Sequence, residues 1–357
     1  MTGRGIDQIL PQPSEPRLFE PWVRSALDYV ALAERASGPL ARPVEFSYIW
    51  GDALAELERA RPNARIVNLE TAVTVSDDAW PEKRIHYRMH PGNVPCLAAA
   101  RLDCCALANN HVMDWGRAGL AETLITLRAA GLRTAGAGRD ADEAQAPAVI
   151  DCPRGGRVLV FAFATETCGV PRDWAAGPRR PGVSLLEDLS ARSVAAVAQR
   201  VAGKRRNGDI VVASIHWGGN WGYGIDSGQR AFARGLIDAA GVDVVHGHSS
   251  HHPKGIEVYR ERPILYGCGD FVTDYEGIGG HEEFRPELSL MYFPTLDAQS
   301  GQLLRFEMTP MRMRRLRVER AARDDAAWLA AALGRECGRL GARVEPQPGG
   351  ALSLHWH

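Results

Sequence analysis

Apolar positions recur along the first two thirds of the chain in two alternating rhythms. Spacings of three and four residues, which put side chains on one face of a helix, predict helices over 20–35, 50–61, 93–101, 116–130, 188–202 and 229–240. Pro21 stands where a first helical turn accepts proline, Asn93 and either Asp188 or Ser190 are candidate caps, and Gly131 is placed to end the helix before it. Short unbroken apolar runs predict buried strands over 65–69, 104–108, 157–164, 209–215 and 242–245, with a weaker alternation over 85–90. From residue 256 onward short strands dominate, at 256–259, 264–266, 288–293 and 303–309, followed by one helix over 324–339. Residues 1–16 and 346–357 carry no such rhythm and read as loop and loosely ordered tail. The β-α order predicts a mixed-sheet α/β protein. No Pro/Gly linker divides the chain before about residue 310, so a main domain over 1–310 and a helical extension and tail over 311–357 are expected.

Four of the predicted strands end in residues that bind metals or move protons. One ends at Glu70, one runs into Asn109, Asn110, His111 and Asp114, one ends at His216, and one ends in His246, His248, His251 and His252. A buried core has no use for these groups, because each must find a partner or cost a few kcal/mol (about 1–3 from mutational data). Strand ends that converge on one metal would use all of them. Four of the 11 histidines fall within seven residues, with Gly247 among them to let the backbone turn; the alternative is a solvated polar loop. Glu70 calls for a cation, Asn110 offers an amide oxygen, and His111 would project beside the metal as a proton donor. Asp114 would orient His111 or cap the next helix. Trp217 and Trp221 flank a Gly pair as either an aromatic wall or packing residues. Carboxylate, amide and imidazole without thiolate suit Mn²⁺, Fe or Zn²⁺ better than Mg²⁺. Two such ions about 3.5–4 Å apart would hold a bridging hydroxide.

Composition narrows the picture. The 42 basic and 43 acidic side chains nearly balance, which gives no basic footprint for nucleic acid. No apolar run approaches the ~18 residues of a spanning helix, and the N-terminus lacks the apolar core of a signal peptide. A soluble, cytoplasmic protein with no membrane span is expected. The seven cysteines contain no CxxC, which argues against a disulfide framework or a thiolate metal site.

With these residues in view, the chain resembles the CapA/PgsA family of capsule and poly-γ-glutamate biosynthesis proteins, a branch of the calcineurin-like metallophosphoesterases. The resemblance runs from residue 1 to about 309. It is carried by Asn68-Leu69-Glu70-Thr71, Ala108-Asn109-Asn110-His111 with Asp114 and Gly116, His216-Trp217-Gly218, Gly247-His248 with His251, and Gly267-Cys268-Gly269-Asp270-Phe271. It implies a four-layer α/β/β/α sandwich with two divalent metal ions at one edge. By position Glu70, Asn110, His216, His248 and His251 would be ligands and His111 the acid beside the leaving group. The family opens with a strand and Gly-Asp-x-Met-x-Gly-Arg, of which this sequence starts at the second half. The first strand and its aspartate ligand are thus missing, and a late-assigned start is expected.

The resemblance implies a metal-dependent hydrolase or transferase of capsule or poly-γ-glutamate metabolism, with a metal-bound hydroxide as nucleophile. Arg4 and Arg88 are candidates to hold an anionic polymer or peptide, though Arg88 could equally be an ordinary surface arginine. The alternatives are Cα epimerase-like acid-base chemistry on peptides, with His246 and His252 as bases, and a non-catalytic partner of a polymer synthase.

Overall fold

A computed structural model describes residues 1–153 and 155–357. The chain is a mixed α/β protein.

The N-terminal segment departs from the expected loop. Helix α1 (Gly5–Ile9) buries Ile6 and Ile9 completely. Asp7 anchors it by accepting bonds from Ser14 N, His90 N and Asn93 Nδ2. Asn93 therefore pins this segment instead of capping a helix. The helix expected over 20–35 starts late, as α2 (Leu27–Ser37). Residues 17–26 form a turn closed by the Arg17–Ser25 bridge, because fully buried Glu20 must reach Arg4 and Tyr29. Trp22 is left 62 % exposed. Helix α3 (Ala53–Ala60) leads to β1 (Ile66–Asn68). A short parallel pair, β2 (Ala72–Val73) and β3 (Arg88–Met89), precedes α4 (Pro95–Ala99). Then come β4 (Cys104–Ala106), α5 (Gly116–Ala129) and β5 (Arg133–Ala135), and β1-β4-β5 form a parallel sheet.

After β6 (Ala137–Gly138) and α6 (Ala141–Gln145) a second sheet is built from β7 (Ala148–Asp151) and β8 (Arg157–Ala164). It continues after β9 (Gly182–Val183) and α7 (Ala191–Ala202) with β10 (Asp209–His216), α8 (Ser227–Ala240), β11 (Val244–His248), β12 (Ile256–Tyr259) and β13 (Arg262–Leu265). Ser190, not Asp188, caps α7, and Asp226 with Gln229 makes a capping box on α8. The strand order is β12-β13-β11-β10-β8-β7, with the central four strands parallel. Alternation along β8 divides its faces. Leu159, Phe161 and Phe163 pack with Val197 of α7 and Phe232 of α8. Val160, Ala162 and Ala164 turn to the main core with β4.

The C-terminal residues form a third, antiparallel sheet. It holds β14 (Leu288–Leu296), β15 (Leu303–Arg314), β16 (Arg317–Arg320), β17 (Ala342–Pro346) and β18 (Leu352–Trp356), with α9 (Arg323–Gly338) between the third and fourth of these. The expected loose tail is therefore a strand, buried through Leu352 and Leu354. Strand β15 runs through residue 310, where the extension was expected to begin. Among the described residues no helix is long and apolar enough to cross a membrane.

Candidate metal centre

The carboxyl ends of strands from both parallel sheets meet at one place, where such sheets commonly bind ligands. Glu70 lies two residues past β1, Asn109 to His111 follow β4, and His216 and His248 are the last residues of β10 and β11. Asn109 fixes the turn. Its amide donates to Asn68 Oδ1 and Leu69 O, and its oxygen accepts the N–H groups of His111 and Val112. Asn110 is thereby aimed across the gap between sheets. Its Oδ1 lies 3.0 Å from His216 Nε2, and Glu70 Oε1 lies 3.7 Å from the same nitrogen. Asn68 Nδ2 holds the other Glu70 oxygen at 3.0 Å.

The other two expected ligands stand behind or beside this set. His248 Nδ1 faces His216 Nδ1 at 2.6 Å, and its Nε2 lies 2.9 Å from Ser214 Oγ. Ser214 Oγ in turn lies 3.0 Å from His246 Nδ1. His251 is taken up by Asp270, 3.1 Å from each carboxylate oxygen, and by Tyr275 Oη at 3.4 Å. Burial pushes His216 down to about 3 and His246 down to about 4, and holds His248 well below its ordinary value. These imidazoles are neutral, as metal ligands must be. Burial also opposes charge on His251, but Asp270 outweighs it and raises the group. Gly247 lies inside β11; a side chain there would strike Leu265 O at 2.4 Å and Tyr266 O at 2.7 Å, so it permits close packing and not the expected turn. The turn falls one residue past His248, where buried Ser249 adopts φ 113°, a conformation that costs of order 1–3 kcal/mol and is common at functional sites.

Asn110, Glu70 and His216 offer an amide oxygen, a carboxylate oxygen and an imidazole nitrogen, donor types that divalent ions accept. Ligands each ~2.1 Å from an ion stand about 3–3.5 Å apart, close to the spacings around His216 Nε2. Among the described residues no group of three or more His, Cys, Asp and Glu side chains stands ready to hold an ion. The third donor here is the Asn110 amide.

His111 sits beside this set. Its Nδ1 lies 2.7 Å from Asp114 Oδ2 and 3.1 Å from Lys83 Nζ, and its ring packs edge-on against Tyr87 at 4.6 Å. Asp114 makes no cap on α5; it accepts from Tyr87 N and Lys83 and so orients His111. Lys83 also donates to Asn110 O. Burial, with Lys83 adding to it, holds His111 well below the usual histidine range, and burial pushes Asp114 up to about 6 against the pull of Lys83. Lys83 comes from an irregular Pro-containing loop, where no apolar period gives a side chain its direction.

Three of the residues expected at a substrate are engaged within the fold. Arg4 is buried and fully engaged, 2.7 Å from both Glu20 and Asp274 and stacked on the rings of Tyr29 and Tyr87. Arg88 is buried on Ser76 O, Asp77 and the Trp115 ring. Trp217 is a core residue that donates to Tyr266 O. Trp221 alone keeps a place at the rim, 5.3 Å from His251 and stacked on His281.

Residues 1–275 match the family described as "Bacterial capsule synthesis protein PGA_cap", and the chain belongs to that family. It is 48% identical over 355 residues to a "Probable polyglutamine synthesis accessory protein" of Mycobacterium tuberculosis, covering 99% of this chain and 93% of that protein. It is 29% identical over 245 residues to the "PGA biosynthesis protein CapA" of Bacillus subtilis, covering 68% of this chain and 60% of that protein. It is 29% identical over 194 residues to the "Capsule biosynthesis protein CapA" of Bacillus anthracis, covering 54% and 45%.

Proposed function

We propose that the chain is a metal-dependent component of capsule-type or glutamate-polymer synthesis, hydrolysing or transferring a bond in an anionic chain. The observation that carries this reading is the meeting of His216 Nε2, Asn110 Oδ1 and Glu70 Oε1 at the junction of two sheets. The layers, with α7 and α8 outside one sheet and β4 inside it, are compatible with the metallophosphoesterase sandwich. The similarity to the "PGA biosynthesis protein CapA" supports the substrate class, and the name of the mycobacterial relative supports a role in polymer synthesis.

Glu70, Asn110 and His216 would hold a first divalent ion, with His251 and Asp270 as the donors nearest to a second. A bound ion supplies Lewis-acid charge and makes water a nucleophile near neutral pH. With the Nδ1 proton of His111 donated to Asp114, Nε2 is the atom left to exchange a proton with the reacting group. Starting neutral, His111 takes up a proton before it can give one to a leaving group. Lys83, donating to Asp114 and to Asn110 O, ties the Nδ1 side of His111 to the turn that carries Asn110. Trp221 forms the apolar rim.

The test is hydrolysis of oligoglutamate and of a generic phosphoester with Mn²⁺ or Zn²⁺ supplied. Background rates for both with every metal would sink the hydrolase reading. A purely non-catalytic assembly role draws on the "accessory" name of the mycobacterial relative. It requires full function in a His111→Ala strain.

A further inference from the structure

The third sheet contains an open slot. Among the described residues β15 and β18 pair only at Glu307 with Ser353 and at Met308 with Leu352. Beyond that point the strands diverge. Residues 304–306 of β15 and 354–356 of β18 line opposite sides of a cleft of about 730 Å³. The outer edges of both strands are already paired, with β14 and with β17. The two inner edges thus face each other without a strand between them. Such edges are ready templates for another extended chain.

The lining indicates what kind of chain. Arg59, Arg305 and Arg320 line the cleft with Glu307, together with Leu304 and Trp356. Arg59 and Arg320 share Glu56, and Arg305 pairs with Glu307, so three guanidiniums meet two carboxylates. Leu304 is 62 % exposed, an apolar anchor beside Trp356 in a slot where three arginines outnumber the carboxylates they pair with. Apart from Arg59, the lining lies beyond residue 275, outside the stretch matched by the family, but within the near-complete similarity to the mycobacterial relative.

We propose that this slot takes an extended, acidic α-peptide segment of a protein partner, added as a strand between β15 and β18. Main-chain hydrogen bonds to the two free edges supply affinity, and the arginines select acidic side chains. An α-linked chain matches the ~3.3 Å residue repeat of both edges, whereas a γ-linked glutamate chain has a longer amide spacing. No residue of the slot belongs to the metal centre, so this inference and that reading succeed or fail separately.

The experiment is fluorescence anisotropy with the full chain and three labelled probes. They are an α-linked Glu-Val repeat, the same peptide with alternate amides N-methylated, and a γ-linked oligoglutamate of equal charge. The α-linked peptide is expected to bind saturably, with the other two weaker by about tenfold or more. Arg305→Glu is expected to weaken the α-linked peptide by a similar factor. Leu304→Glu, also at an exposed position, repeats the test where Arg305→Glu disturbs the fold. Absence of saturable binding, equal binding of all three probes, or indifference to both substitutions in a folded chain overturns the proposal.

Discussion

His216 Nε2 stands 3.0 Å from the Asn110 amide oxygen, and this contact joins the ends of strands from two different sheets. Behind it runs a line of polar groups, His216, His248, Ser214 and His246, each within 3.0 Å of the next. The line has two consistent directions. With a proton on His216 Nε2, each group accepts from the one behind it. With a cation there instead, His216 Nδ1 carries the proton and every bond in the line reverses. Ser214 stands between His248 and His246 and, in either direction, donates to one and accepts from the other.

Ser214→Ala therefore removes the group that fixes both histidine tautomers. Divalent metal affinity should fall by about 10–100-fold, the usual effect of losing an outer partner of a ligand. Calorimetric titration with Mn²⁺ or Zn²⁺ measures this. Equal affinity in the variant would show that the line has no part in holding the ligand.

Asp114→Asn keeps the shape of the side chain but alters the bond to His111. If proton transfer by His111 is part of the reaction, kcat should drop by about 10²–10⁴-fold while metal affinity stays near its original value. A fall in metal binding of the same size would instead place Asp114 in the ligand shell.

Arg4 is a positioning residue. Its guanidinium covers Tyr87, whose ring edges His111, and it neutralises Glu20 and Asp274. Arg4→Met leaves two buried carboxylates without a cation, and should cost about 3–5 kcal/mol in urea unfolding. Unchanged stability with a raised KM would restore the substrate-binding role.

Glu257 supplies a pH signature far from the metal centre. Burial opposes its charge, but bonds from Arg230, Tyr266 and Arg234 win and lower its pKa. A lowered carboxylate stabilises the fold above its unfolded value of about 4.3, and that contribution is lost as the pH falls through the lowered folded value. Glu257→Gln should thus cost about 1–3 kcal/mol at pH 7 and progressively less toward pH 3. A difference that does not shrink with acid would assign the effect to packing.

How much of this was legible in the sequence depended on whether a residue's partner is local. Strand β12 fell at the expected 256–259 because its alternation is local, and Glu70, Asn110 and His216 met because each ends or closely follows a strand whose apolar run is legible. Glu20 broke the expected first helix for a distant reason: its partner Arg4 is fixed by Asp274 from the far side of the sequence. The tail over 352–356 became a strand only because β15 and β17 were there to pair with it. Lys83 reaches His111 and Asp114 from a loop, where no period announces direction. Asp270 lies between glycine and phenylalanine in a loop with no period of its own, and the fold sets it against His251.

The most direct test is metal binding by the unaltered chain beside His216→Ala and Asn110→Ala, read by elemental analysis after dialysis and by calorimetry. At least one tightly held Mn²⁺, Fe or Zn²⁺ ion per chain, lost in His216→Ala and weakened in Asn110→Ala, is the predicted result. No stoichiometric ion in the unaltered chain, or the same content in all three proteins, would contradict the metal-centre account.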